Sequence, residues 1–202
     1  MISGGNLPPV PSYSNGQESS LLNYQLERGA GSTPADGGLF IMIKLYTSYF
    51  YQIRFFKENM IPVSTATYDP KWYHDWMGPD HVFKDKRGIY NGIRAECFHF
   101  DEEKYGNCGC GDACSLSPKD PSKCEFLRLL RKQYDLLDYN DIIERCNKLA
   151  NTIQEIEHYK ESPILVFIFY ETPKNKCSER ETLQSWFKDH GYNLQELTYP
   201  IL

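Results

Sequence analysis

The longest apolar run in the chain, Ile164-Leu165-Val166-Phe167-Ile168-Phe169-Tyr170, does not alternate with polar residues, as expected of a central strand covered on both faces. Ile43-Lys44-Leu45-Tyr46-Thr47 does alternate, and its Leu45–Thr47 part reads as a first strand. Ser48 is then placed to cap a short helix that runs to about Lys57 and carries Ile53 and Phe56. Ile61-Pro62-Val63-Ser64 reads as a second strand. From Thr65 to Phe100 no period holds, and aromatic, glycine and charged residues mix, which predicts a long loop region of the kind that often carries function.

Beyond it, Asp120-Pro121 is a helix-start signal, with Phe126, Leu129, Leu130 and Tyr134 at helical spacing. A second helix begins near Asp138 to Asn140 and puts Ile142, Ile143, Cys146, Leu149, Ile153 and Ile156 on one face. Ser178 and Glu181 form a capping box, Leu183, Trp186 and Phe187 continue that helix, and Gly191 supplies its stop. Leu194 to Tyr199 reads as a last strand. This order predicts an α/β, three-layer domain with a mostly parallel sheet, helices on both faces and a Cys-rich loop insertion at about 97–124.

Residues 1–41 are different in kind. They hold seven of the 14 glycines and four of the 12 prolines, with only four charged residues and no Cys or His. Such a stretch is expected to be a flexible leader or an upstream extension, with the native start at Met42 and one domain over 42–202. The net charge of −5 gives the protein as a whole no basic footprint for duplex DNA or anionic membranes. No apolar run approaches the roughly 20 residues of a membrane span, and no secretory signal pattern opens the chain. Seven cysteines, an odd number, point to a reducing cytoplasm in which clustered thiols bind metal or do chemistry.

The C-terminal unit, with its apolar strand, Cys177, Arg180, a helix, Gly191-Tyr192 and a final strand, resembles the last β-α-β of the uncharacterised prokaryotic family called domain of unknown function 488. The opening Ile43-Lys44-Leu45-Tyr46-Thr47-Ser48 is similar to that family's first strand and turn. Two residues separate Cys177 from Arg180 where the family typically has one, and Ser64-Thr65-Ala66-Thr67 stands where it usually has an Asp-Val-Arg turn, so the likeness is to a divergent branch. It implies an α/β fold and a location for the site, but no reaction.

Three candidate sites emerge. Cys108, Cys110, Cys114 and Cys124 lie within 17 residues, enough thiolates for a tetrahedral zinc ion, with an iron–sulfur cluster the lesser alternative. Cys97, His99 or Asp101 could replace one thiolate, although ordinary strand or loop roles suit them better. The second site is at the carboxyl ends of the strands, where open parallel sheets bind ligands. Cys177, beside the capped helix start, is the candidate nucleophile, Arg180 the anion clamp and Asp69 the general base; Ser48, Thr65, Trp72 and Glu171 are candidate ligand contacts. The third is the aromatic and basic stretch from Tyr68 through Trp72, Tyr73 and Trp76 to Lys84, Lys86 and Arg87, which could stack bases but whose rings also suit packing of a long loop.

P-loop, G-x-G-x-x-G, H-E-x-x-H and G-x-S-x-G motifs do not occur in the chain. The expected function is therefore binding of, or action on, a small anionic ligand at the strand ends, a nucleotide among the candidates. The alternative is a non-enzymatic nucleic-acid or protein interaction module shaped by zinc. No oligomeric state follows from the sequence.

Overall fold

In the computed structural model, which describes residues 43–74, 81–105, 122, 124–172 and 178–199, the apolar run becomes strand β5, Ile164–Phe169, in the interior of a four-stranded parallel sheet. On one side it pairs with β1, Lys44–Tyr49, and on the other with β2, Met60–Ser64; β6, Gln195–Glu196, adds to the far side of β1. The order is β2-β5-β1-β6. Pro62 fits this order, since a proline has no N–H for a ladder and is confined to edge strands or strand ends. Ser64 bonds outward, to Ile93 O (2.8 Å) and from Ala95 N (2.7 Å). Two residues earlier Pro62 faces the same way, and its carbonyl accepts from the Tyr73 hydroxyl at 3.0 Å.

Alternation along β5 divides the core in two. Leu165, Phe167 and Phe169 pack with Leu45, Val63 and three helices: α2 (Glu125–Tyr134), α3 (Tyr139–Glu157) and α4 (Glu179–Asp189). Val166 and Ile168 face Phe50, Ile53, Phe56, Tyr73 and Ile89. Phe50 and Ile53 belong to a short 3-10 helix, Phe50–Phe55, and the other three residues to connecting segments. A short helix α1, Glu102–Tyr105, and a one-turn 3-10 helix, Glu96–Phe98, complete the described helices.

Several boundaries differ from the sequence pattern: the last strand spans only Gln195–Glu196 rather than Leu194 to Tyr199, and the helix expected to reach Lys57 is a 3-10 helix ending at Phe55. Ser48 does not cap a helix; β1 runs on to Tyr49, and the buried Ser48 hydroxyl donates to Leu197 O at 2.8 Å, because the segment after β6 lies alongside and offers an unpaired carbonyl. The loop from Thr65 contains an antiparallel hairpin, β3 (Phe83–Lys84) and β4 (Tyr90–Asn91). Its strands are too short to impose a period.

The helix starts at Asp138 and Ser178 are as expected. Asp138 accepts from Asn140 N at 2.8 Å, and Ser178 Oγ accepts from Arg180 N at 3.2 Å. Helix α2 begins at Glu125 with Cys124 as the preceding, buried residue; Asp120 and Pro121 lie outside the described residues. No helix among the described residues is long and apolar enough to cross a membrane.

Candidate functional site: an aromatic and arginine-lined cleft beside the strand ends

A cleft of about 600 Å³ is bounded by the 3-10 helix and the hairpin. Phe50, Tyr51, Ile53 and Arg54 come from the helix, Phe83, Asp85, Arg87 and Asn91 from the hairpin, and Trp72 from the loop after β2. It adjoins the carboxyl ends of the sheet, because Phe50 follows β1 directly and its ring lies 5.1 Å from that of Tyr170, the residue after β5. Such ends are where open α/β sheets bind ligands.

Local chemistry fixes both walls. Asp85 closes the hairpin by accepting from Arg87 N (2.8 Å) and Ile89 N (3.2 Å), and its carboxylate holds the Arg87 guanidinium. Although burial raises the Asp85 pKa, the bonds from Arg87 and Ile89 prevail and lower it. Arg87 Nη1 in turn donates to Ile53 O at 3.1 Å, which ties the hairpin to the helix. Gly92 adopts φ +83°, and a Cβ there would lie 2.2 Å from His81 O, so only glycine allows this close approach.

Between the walls, aromatic surface is available. Trp72 is 53% exposed and Tyr51 43%. Phe50 supports Trp72 edge to face, with ring centroids 5.9 Å apart. The Arg54 guanidinium lies over Tyr51, with Cζ 3.3 Å from the ring centroid, and donates through Nε to Tyr51 O at 3.0 Å. Among the described residues nothing pairs with its two Nη nitrogens.

The other residues named from the sequence are held differently. Arg180, 3% exposed, pairs through Nε with Glu196 (3.0 Å) and donates to Glu171 O (2.8 Å) and Thr172 O (3.5 Å). Glu196 also accepts from Thr47 at 2.7 Å, and Gln184 donates to the same threonine hydroxyl at 2.7 Å. This network joins α4, the segment after β5, β1 and β6. Thr65 donates through Oγ1 to Ile168 O at 2.9 Å.

Asp69 has a fully buried side chain in a second network, where it accepts from Ser64 Oγ, contacts His74 and lies 3.1 Å from Arg94 Nε. Burial pushes its carboxyl above the ordinary value, and Ser64, Arg94 and His74 pull it back. Arg94 also donates to Thr67 O at 2.9 Å, so the network fastens the loop after β2. Asp69 and Arg180 share no partner among the described residues, and Cys177 and Trp76 lie outside them.

Cys108, Cys110 and Cys114 also lie outside the described residues. Among the described residues no three His, Cys, Asp or Glu side chains gather to hold a metal. Burial pushes the Cys97 thiol up to about 12 and His99 down to about 4, in each case disfavouring the charged form.

Sequence reasoning found Trp72 and Arg87 but missed Tyr51, Arg54, Phe83 and Asn91 as parts of one cleft. The i to i+3 spacing of Tyr51 and Arg54 was the available signal, and it says nothing about the hairpin opposite. Compared with protein-family models, curated proteins and solved structures, the chain gives no match.

Proposed function

We propose that this protein binds a small ligand combining a planar ring with an anionic group, of which a nucleoside monophosphate is the type. The observation that carries the reading is the cleft itself: four aromatic residues, two of them well exposed, with the open Nη edge of Arg54 beside them. Rings offer stacking that every base can use, and a guanidinium with unengaged N–H groups takes phosphate oxygens in pairs. The volume of about 600 Å³ suits a mononucleotide rather than a long strand. The net charge of −5 also disfavours a polyanion. The strand-end location expected from the sequence is kept, but the anion contact moves from Arg180, whose guanidinium is already engaged, to Arg54.

A metal held by Cys108, Cys110, Cys114 and Cys124 remains part of the proposal, as a structural zinc that shapes the insertion rather than as a participant at the cleft. Kinship with the domain of unknown function 488 family rests on the two end segments and adds no reaction. Three layers with helices on both faces likewise remain a proposal.

The test is calorimetric titration with AMP, GMP, CMP and UMP of wild type, Trp72→Ala and Arg54→Ala. Binding of at least one nucleotide, weakened roughly tenfold or more in both variants while their melting temperatures hold, supports the reading. No binding of any overturns it. Binding of single-stranded oligonucleotides without mononucleotides would favour the interaction module instead.

A further inference from the structure

Residues 1–17 contain no charged side chain and one dense proline motif, Leu7-Pro8-Pro9-Val10-Pro11. Proline fixes its own φ and biases the residue before it toward extended or polyproline II geometry. Leu7, Pro8 and Val10 each precede a proline, so the sequence predisposes the motif to polyproline II and leaves it little conformational entropy to lose on docking. Such segments are recognised by grooves lined with exposed aromatic rings, against which the proline rings pack.

The cleft offers that surface. Exposed Trp72 and Tyr170 both abut the Phe50 ring, at 5.9 and 5.1 Å between centroids, and exposed Tyr51 and Phe55, 6.3 Å apart, continue the aromatic surface along the 3-10 helix. In a polyproline II helix Pro8 and Pro11 fall on one side, one turn of about 9 Å apart, comparable with two such ring-to-ring steps.

Chain length selects the occupant. The described residues begin at Ile43, at the start of β1, and Phe50, at its end, lines the cleft, about 20 Å away for a six-residue strand. Between Pro11 and Ile43 lie 31 residues with five glycines and five serines. A flexible segment of that length and composition has a root-mean-square span of about 30 Å, so the motif reaches the cleft unstretched, at an effective concentration on the order of millimolar. Glu18, seven residues beyond Pro11, is the first charged side chain of the chain, and its sign complements Arg54, whose Nη nitrogens have no partner among the described residues.

We infer that the 7–11 motif docks in the cleft of its own chain, with its prolines on Trp72 and the neighbouring rings, and, resting on the reading above, that it competes there with the nucleotide. The site is thereby regulated from within the chain. At that effective concentration, a segment whose own Kd is about 0.1 mM weakens nucleotide binding roughly tenfold.

The test is calorimetry on the full chain, wild type against the triple variant Pro8→Ala, Pro9→Ala, Pro11→Ala, whose sites lie outside the described residues. The triple variant should bind at least one of AMP, GMP, CMP and UMP roughly tenfold tighter than wild type. It should also bind a synthetic peptide of residues 4–14 roughly tenfold tighter, and adding Trp72→Ala should abolish that binding. The peptide decides the docking: equal affinity in the two proteins, or binding indifferent to Trp72→Ala, overturns it whatever the nucleotides do. A nucleotide bound equally by both proteins overturns the competition and leaves the nucleotide reading standing. No nucleotide bound by the triple variant overturns that reading, while Trp72-dependent peptide binding still upholds the docking. A wild-type dimer in sedimentation that the triple variant lacks assigns the cleft to the segment of a second copy and overturns docking within one chain.

Discussion

The two faces of the sheet treat an arginine in opposite ways. On the helical face, Arg180 is 3% exposed and its guanidinium meets one carboxylate and two carbonyls. On the other face, Arg54 is exposed, and only its Nε has a hydrogen-bond partner among the described residues. Tryptophans show the same contrast, with Trp186 wholly buried against Tyr134 and Phe187 while Trp72 is half in solvent. The difference follows from what covers each face. Three helices bury a broad apolar surface and close over their polar groups, whereas a six-residue 3-10 helix and a two-stranded hairpin leave a gap between them.

Substitutions should separate the faces. Trp186→Ala removes the largest fully buried side chain among the described residues and is expected to destabilise by about 3–5 kcal/mol, read as a large fall in the midpoint of urea unfolding. Trp72→Ala should change the midpoint of urea unfolding little and weaken nucleotide binding roughly tenfold or more instead. Equal losses of stability would erase the contrast.

Arg180→Met leaves Glu196 without its cation and should cost about 3 kcal/mol, read as a lower denaturation midpoint. Arg54→Ala should fall within about 0.5 kcal/mol of wild type.

A further effect on the helical face depends on pH. Burial, then the charge of Glu171, raises the Glu179 carboxyl from 4.5 to about 8. The folded chain therefore holds that proton more tightly than the unfolded one, and the contribution of Glu179 to stability declines as pH rises from about 4.5 to about 8. Glu179→Gln should gain stability over wild type progressively across that window, measured by chemical denaturation at several pH values. A constant difference would show that the carboxyl titrates normally.

For the thiol cluster, elemental analysis of protein purified without chelator should find near-stoichiometric zinc. The double variant Cys108→Ser, Cys110→Ser should lose it, with little effect on nucleotide binding if the metal only shapes the insertion.

Much of the helical face could be read along the chain. The unbroken apolar run of β5, the Asp138 and Ser178 caps, and the Leu183, Trp186 and Phe187 stripe are local signals, and each fell where local rules put it. Little of the cleft could be read so. Tyr51 and Asn91 are 40 residues apart in the sequence, and nothing in either neighbourhood announces the other. Arg180 and Arg54 look equally able to hold an anion in the sequence; only their neighbours differ.

The sequence by itself determined the main periodic elements, the caps at Asp138 and Ser178 and the residue types available for stacking and anion contact, because these depend on interactions within a few residues. Tertiary structure decided which guanidinium keeps nitrogens without a partner among the described residues and where the rings converge, because hydrogen-bond partners and solvent access are set by segments that meet only when the chain has folded.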